Sequence, residues 1–167
     1  ASDLIGRSGK EELARKLYKE IRATDGVISA IDMMLHDYGP DSYSGSVNIE
    51  IDHKRSIGEV YEEIHRLQLR IMEEYHVTMV FGIYAVDEDT AAIVDIRRYI
   101  GKFVRVNEHV KSFHALYLSK ETGTLYCDLI VDYALRDWEE LRKSFVEYMK
   151  KQYPEYEISL TIETEFV

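Results

Sequence analysis

The pattern of residues 28–86 returns in the remainder of the chain, and that repetition restricts the possible folds more than any other feature. In order, the stretch holds an apolar extended run (VISAIDMMLHDYGP), an alternating run (SGSVNIEID), a long amphipathic segment (SIGEVYEEIHRLQLRIMEEY) and a second apolar run (VTMVFGIYAVD). Val27 to Met33 lies over Val110 to Leu116, SVNIEID at 46–52 over YCDLIVD at 126–132, and VFGIY at 80–84 over SLTIE at 159–163. One register of about 80 residues is kept throughout, which predicts two tandem repeats, residues 1–87 and 88–167.

Each repeat reads as α-β-β-α-β. In the first, Ser8 and Glu11 have capping-box spacing ahead of Leu13, Leu17 and Ile21, which recur at helical period. Asp25-Gly26 ends that helix and a strand begins at Val27. The His36-Asp-Tyr-Gly-Pro40 stretch is expected to turn the chain, with His36 serving the turn. Val47, Ile49 and Ile51 alternate with polar residues along a half-buried strand, and Ser56 and Glu59 cap a helix with Val60, Ile64, Leu67 and Ile71 on one stripe. A strand from Val77 to Ala85 closes the repeat. In the second, Thr90 is expected to cap a helix bearing Ile93, Ile96, Ile100 and Phe103, followed by a strand at 110–118 and a hairpin at Thr122-Gly-Thr124. Leu125, Cys127, Leu129 and Val131 form the apolar phase of the next strand, where Cys127 reads as a small core residue. Asp137 and Glu140 cap a helix whose inner stripe is expected to be Trp138, Leu141, Phe145 and Met149, and Ile158, Leu160 and Ile162 mark the last strand. The fold class is therefore α+β: two tandem ferredoxin-like units, each a three-stranded mixed sheet with two helices on one face. The other face of such a sheet is bare, and there the two halves or two chains could meet. Tyr117 and Tyr126, on the polar phases of their strands, suit such an interface.

Composition narrows the class of function. The chain is 167 residues long and 46% hydrophobic, enough for one large or two small cores. It reads as soluble, since no apolar run approaches a membrane span and the N-terminus has no secretory h-region. A lone cysteine rules out an intrachain disulfide framework and favours a reducing compartment. A net charge of −10 repels phosphate backbones, so no nucleic-acid partner is expected, whereas acidic surfaces attract cations.

The residues also carry a resemblance. Ile31-Asp32-Met33, His36-Asp37-Tyr38-Gly39-Pro40, Ser46-Val47-Asn48-Ile49-Glu50-Ile51 and Ile83-Tyr84-Ala85-Val86-Asp87 follow the outline of the cytoplasmic C-terminal domain of cation diffusion facilitator transporters. Asp3-Leu4-Ile5-Gly6 resembles the residues found just after the last membrane helix of such proteins. The outline covers the first half well and the second weakly. The resemblance implies a homodimerising, non-enzymatic domain at the cytoplasmic face of the cell membrane. It further implies attachment to the membrane-spanning domain of the same full-length protein, a cation/proton antiporter, and in many relatives the binding of regulatory metal.

The family's metal-binding His positions read Ile31, Asn48, Tyr61 and Tyr84 in the first repeat, and its closing Asp reads Val86; these side chains are poor or impossible ligands, so that site is lost. In the second repeat, His114 falls on the first His, Asp128 on the second-strand His, and Glu163 and Glu165 on the closing His and Asp. One imidazole with two or three carboxylates suits a divalent cation such as Mn²⁺, and is a less typical set for Zn²⁺. The plain alternative is a solvated acidic strand face with a packed histidine. His114 shares strand phase with Val110, Leu116 and Leu118, so a bulge is needed to bring it to the face of Asp128. Three functions remain open: a metal-sensing dimerisation domain, a structural dimerisation module without metal, or an enzyme on the same fold. The last is weakest, because no phosphate loop or activated nucleophile is found.

Overall fold

We describe residues 2–88 and 90–164 of a computed structural model. Ten elements follow one another: α1 (Ser2–Arg22), β1 (Val27–Asp37), β2 (Tyr43–Asp52), α2 (Ile57–Tyr75), β3 (Val77–Val86), α3 (Ala91–Val106), β4 (Val110–Ser119), β5 (Thr124–Val131), α4 (Trp138–Gln152) and β6 (Glu157–Thr164). They fall into two compact units that divide between Tyr84 and Ala85. Each unit runs α-β-β-α-β and holds a three-stranded mixed sheet, in the orders β1-β2-β3 and β4-β5-β6. The second sheet pairs β4 with β5 antiparallel and β5 with β6 parallel, the latter across the helical crossover that a parallel neighbour requires.

In the first unit both helices bury one stripe against one sheet face. Leu17 and Ile21 of α1 and Val60, Ile64, Leu67 and Ile71 of α2 meet Val47, Ile49, Ile51, Val77 and Met79 in one core. Each such aliphatic side chain contributes about 1.5–3 kcal/mol by leaving water. Helix α2 starts where the capping box predicts. The Ser56 hydroxyl accepts from the Glu59 N–H at 3.2 Å and the Glu59 carboxylate accepts from the Ser56 N–H at 3.1 Å. It ends on His76, which takes the left-handed conformation (φ 55°) while its N–H donates to the Met72 carbonyl. The second unit repeats the plan around Ile93, Ile96, Ile100, Phe103, Leu125, Leu129, Leu141 and Phe145, with Cys127 buried among them.

Four local expectations change. Helix α1 extends back to Ser2, so Ser8 and Glu11 fall inside it; neither proline nor a turn pair lies between Ser2 and Ser8 to stop propagation. Thr90 precedes α3 without a side-chain cap, because its hydroxyl and N–H both donate to the carboxylate of Asp87. Trp138 is outside the buried stripe of α4, which begins one turn later at Leu141; as the first helical residue it precedes the packed stretch. His36 sits in strand β1 opposite Ser44, and the turn follows it.

Both hairpins carry the same irregularity. The register of β1 on β2 shifts between Ile31 and Met34, and that of β4 on β5 between His114 and Tyr117. At the equivalent position within each bulge the backbone turns left-handed, at Asp32 (φ 57°) and Ala115 (φ 55°). In β1 the tyrosine hydroxyl of Tyr18, on α1, accepts from the N–H of Met33 at 2.8 Å and so satisfies a donor inside the bulge.

Candidate functional site

Two register shifts in β4, one between Val110 and Ser112 and one between His114 and Tyr117, settle which way His114 faces. Phe113 pairs with Leu129 and packs on the helix-side core, and His114, the next residue, pairs with Asp128 on the opposite face. Leu116 returns to the core after the extra residue Ala115, and Tyr117 then rejoins His114 on the face without helices, opposite Tyr126. Simple alternation would have placed His114 and Leu116 on one side; the bulge separates them.

His114 and Asp128 therefore stand as a directly opposed cross-strand pair, and such pairs have Cβ atoms about 4.5–5.5 Å apart. Asp128 is 6% exposed and His114 half-buried. The Ser112 hydroxyl lies 3.2 Å from His114 Nε2, so Ser112, two residues back on the same face, holds that edge of the ring. On β6, Thr161 is the residue opposite Asp128 and Glu163 is opposite Ile130. Glu163 thus shares the face but is displaced from Asp128 by two strand positions, about 7 Å along the chain. Glu165 lies outside the described residues.

Of the four sequence-derived candidates, then, the structure opposes His114 to Asp128 and sets Glu163 diagonally beyond them. Among the described residues no group of three or more His, Cys, Asp or Glu side chains gathers as a cation would require. A histidine and one carboxylate fill two positions of a divalent shell, fewer than the three or four protein ligands of characteristic zinc sites. The described residues by themselves do not fit a closed metal site.

The first unit presents the same geometry with different chemistry. Ile31 is opposed to Asn48 across β1 and β2, as His114 is to Asp128. The Asn48 amide donates to the Asp32 carboxylate at 3.4 Å, and a side chain at Gly82 would run into the Asn48 amide oxygen. Isoleucine offers no lone pair, and the Asn48 amide is packed over Gly82, where no side chain could stand. Next to Tyr117, the Tyr126 ring stacks with a centroid separation of 6.3 Å, so two phenols lie beside the His114 pair. Sequence reading found His114, Asp128 and both tyrosines. It missed Ser112 and Ala115, for which no pattern of hydrophobicity gives a signal.

Comparison with known proteins finds no family model and no curated protein that matches this chain. Among solved structures, a nickel form of a MamM CTD variant is 13% identical, with a TM-score of 0.42, over 46% of this chain and 99% of its own. A zinc form of another MamM CTD variant is 15% identical, with a TM-score of 0.43, over 50% of this chain and 93% of its own. A doubly substituted MamM CTD is 13% identical with a TM-score of 0.44, over 48% of this chain. Among the described residues, no helix is long and apolar enough to cross a membrane.

Proposed function

We propose that this chain is a regulatory and dimerisation domain of a divalent-cation efflux transporter of the cation diffusion facilitator type, built from two repeats, residues 1–87 and 88–167. In this reading it acts at the cytoplasmic face of the membrane, joined to the membrane helices of a cation/proton antiporter. It works by binding and assembly, without catalysis of its own. The second repeat senses Mn²⁺ or Zn²⁺ through His114 and Asp128, with Glu163 and Glu165 completing the set.

The observation that carries the reading is the match between motif and register. The two positions that correspond to the family's first two histidines are directly opposed across a hairpin in both units, as Ile31 with Asn48 and as His114 with Asp128. In this reading the two pairs are a disabled and an acid-bearing copy of one duplicated scaffold. Calorimetric titration with Mn²⁺ and with Zn²⁺ tests it: saturable heat at submillimolar cation, abolished by Glu163→Gln with Glu165→Gln, is the expected result. Light scattering should give the mass of a dimer, and a monomeric mass counts against the assignment.

A second reading is favoured by the scatter of donors, no three of which gather among the described residues. In it the domain is a structural dimerisation module without metal. Absence of saturable heat with either ion, together with a dimeric mass, selects this reading over the first.

A further inference from the structure

Helix α2 has two apolar stripes, only one of which its own unit uses. Val60, Ile64, Leu67 and Ile71 are buried in the core. Ile57, Tyr61, His65, Leu69 and Met72 recur at spacings of four, four, four and three, and so line a second face beside the first. Ile57 is 79% exposed, Tyr61 67%, Leu69 51% and Met72 42%. The His65 ring stacks on Tyr61 at 5.8 Å with an interplanar angle of 10°, which holds both rings flat along the helix.

The second unit supplies an internal control. Val60 and Ile64 of α2 correspond to Leu141 and Phe145 of α4, the first two buried residues of each stripe, so Tyr61 corresponds to Arg142 and Leu69 to Lys150. Those two cations turn back onto their own unit: Arg142 donates to the carbonyl of Leu160 on the edge strand β6, and Lys150 to the carbonyl of Tyr156. In α2 the neighbouring Gln68 amide makes the corresponding bond, to the Met79 carbonyl at 2.8 Å, and leaves Tyr61 and Leu69 outward. The fold is thus compatible with polar residues at these places, and their apolar character in α2 serves something other than the core.

Charge identifies the kind of occupant. The solvent-side rim of the stripe is Glu62 and Glu73, both exposed and, among the described residues, in no ion pair. The arginines of α2 are already engaged, Arg66 with Glu63 and Arg70 with Glu20. A second copy of this chain would bring the same uncompensated acids to the seam and no added cation to meet them. We infer that the exposed face of α2 docks an amphipathic helix of a partner protein, whose apolar side chains seat along Tyr61, Leu69 and Met72 and whose Lys or Arg residues meet Glu62 and Glu73.

The test uses the full chain and a fluorescein-labelled peptide of about five helical turns, with leucines on one face and lysines on the other. Anisotropy should rise saturably with the parent chain. It should weaken about tenfold or more with Tyr61→Arg, Leu69→Lys, the residue types α4 carries at these places. An unchanged melting temperature confirms that the double variant is folded. The same peptide with glutamates in place of lysines should not bind. Equal binding to parent and double variant, or no binding to the parent, overturns the inference. So does a parent dimer that becomes a monomer in the double variant, which would give this face to a second copy. None of these outcomes depends on whether the second unit takes up a cation.

Discussion

Replacing Ala115 by valine should destabilise the second unit by about 1–3 kcal/mol or more, whereas glycine at the same place should be close to neutral. Ala115 has φ 55° and is 4% exposed, within the bulge that turns His114 towards Asp128. The native alanine already bears the cost of about 1–2 kcal/mol that an L-residue meets in the left-handed region, and a β-branched side chain is a further outlier there. Two added methyls in a closed site cost about 1–3 kcal/mol more by overpacking. Glycine recovers the left-handed cost, loses one buried methyl worth about 0.8 kcal/mol, and gives the unfolded chain about 0.4–1 kcal/mol of extra freedom, so its effects nearly cancel. Trp138, the single tryptophan, belongs to the second unit, and its fluorescence in urea reports that unit's unfolding. Should valine be tolerated to within about 0.5 kcal/mol while glycine costs about 1.5 kcal/mol, residue 115 is in ordinary extended conformation. The strand would then alternate regularly and His114 could not share a face with both Asp128 and Tyr117.

Two further outcomes follow from local geometry. Ser56→Ala removes the acceptor for the Glu59 N–H and should lower the stability of the first unit by about 1 kcal/mol, read as a shift in the urea midpoint with an unchanged slope. The His109 ring, 3.1 and 3.2 Å from the two Asp132 carboxylate oxygens, holds that carboxyl below the usual aspartate range. Because the folded value is depressed, its stabilisation is present above about pH 4 and is lost as pH falls through the folded value. Asp132→Asn should therefore flatten the acid limb of a stability–pH curve while changing its shape little near neutrality, and an unaltered acid limb would show that the pair contributes nothing.

The sequence by itself determined the element order, the buried stripes of α2 and α3 and the apolar phase of β5, because each rests on a local period of 3.6 or 2 that burial then enforces. It also singled out His114 and Asp128. What it left open was whether they face each other, since strict alternation along β4 points His114 towards Leu116 and the helices. The tertiary structure decided this through two register shifts per hairpin, the second of them holding Asp32 in one and Ala115 in the other. A bulge is fixed by how two strands pair, which no single strand's pattern carries, and alanine does not announce a left-handed backbone. The second face of α2 also waited on the tertiary structure: its buried stripe was legible, but only packing shows that Ile57, Tyr61, Leu69 and Met72 beside it are left to solvent.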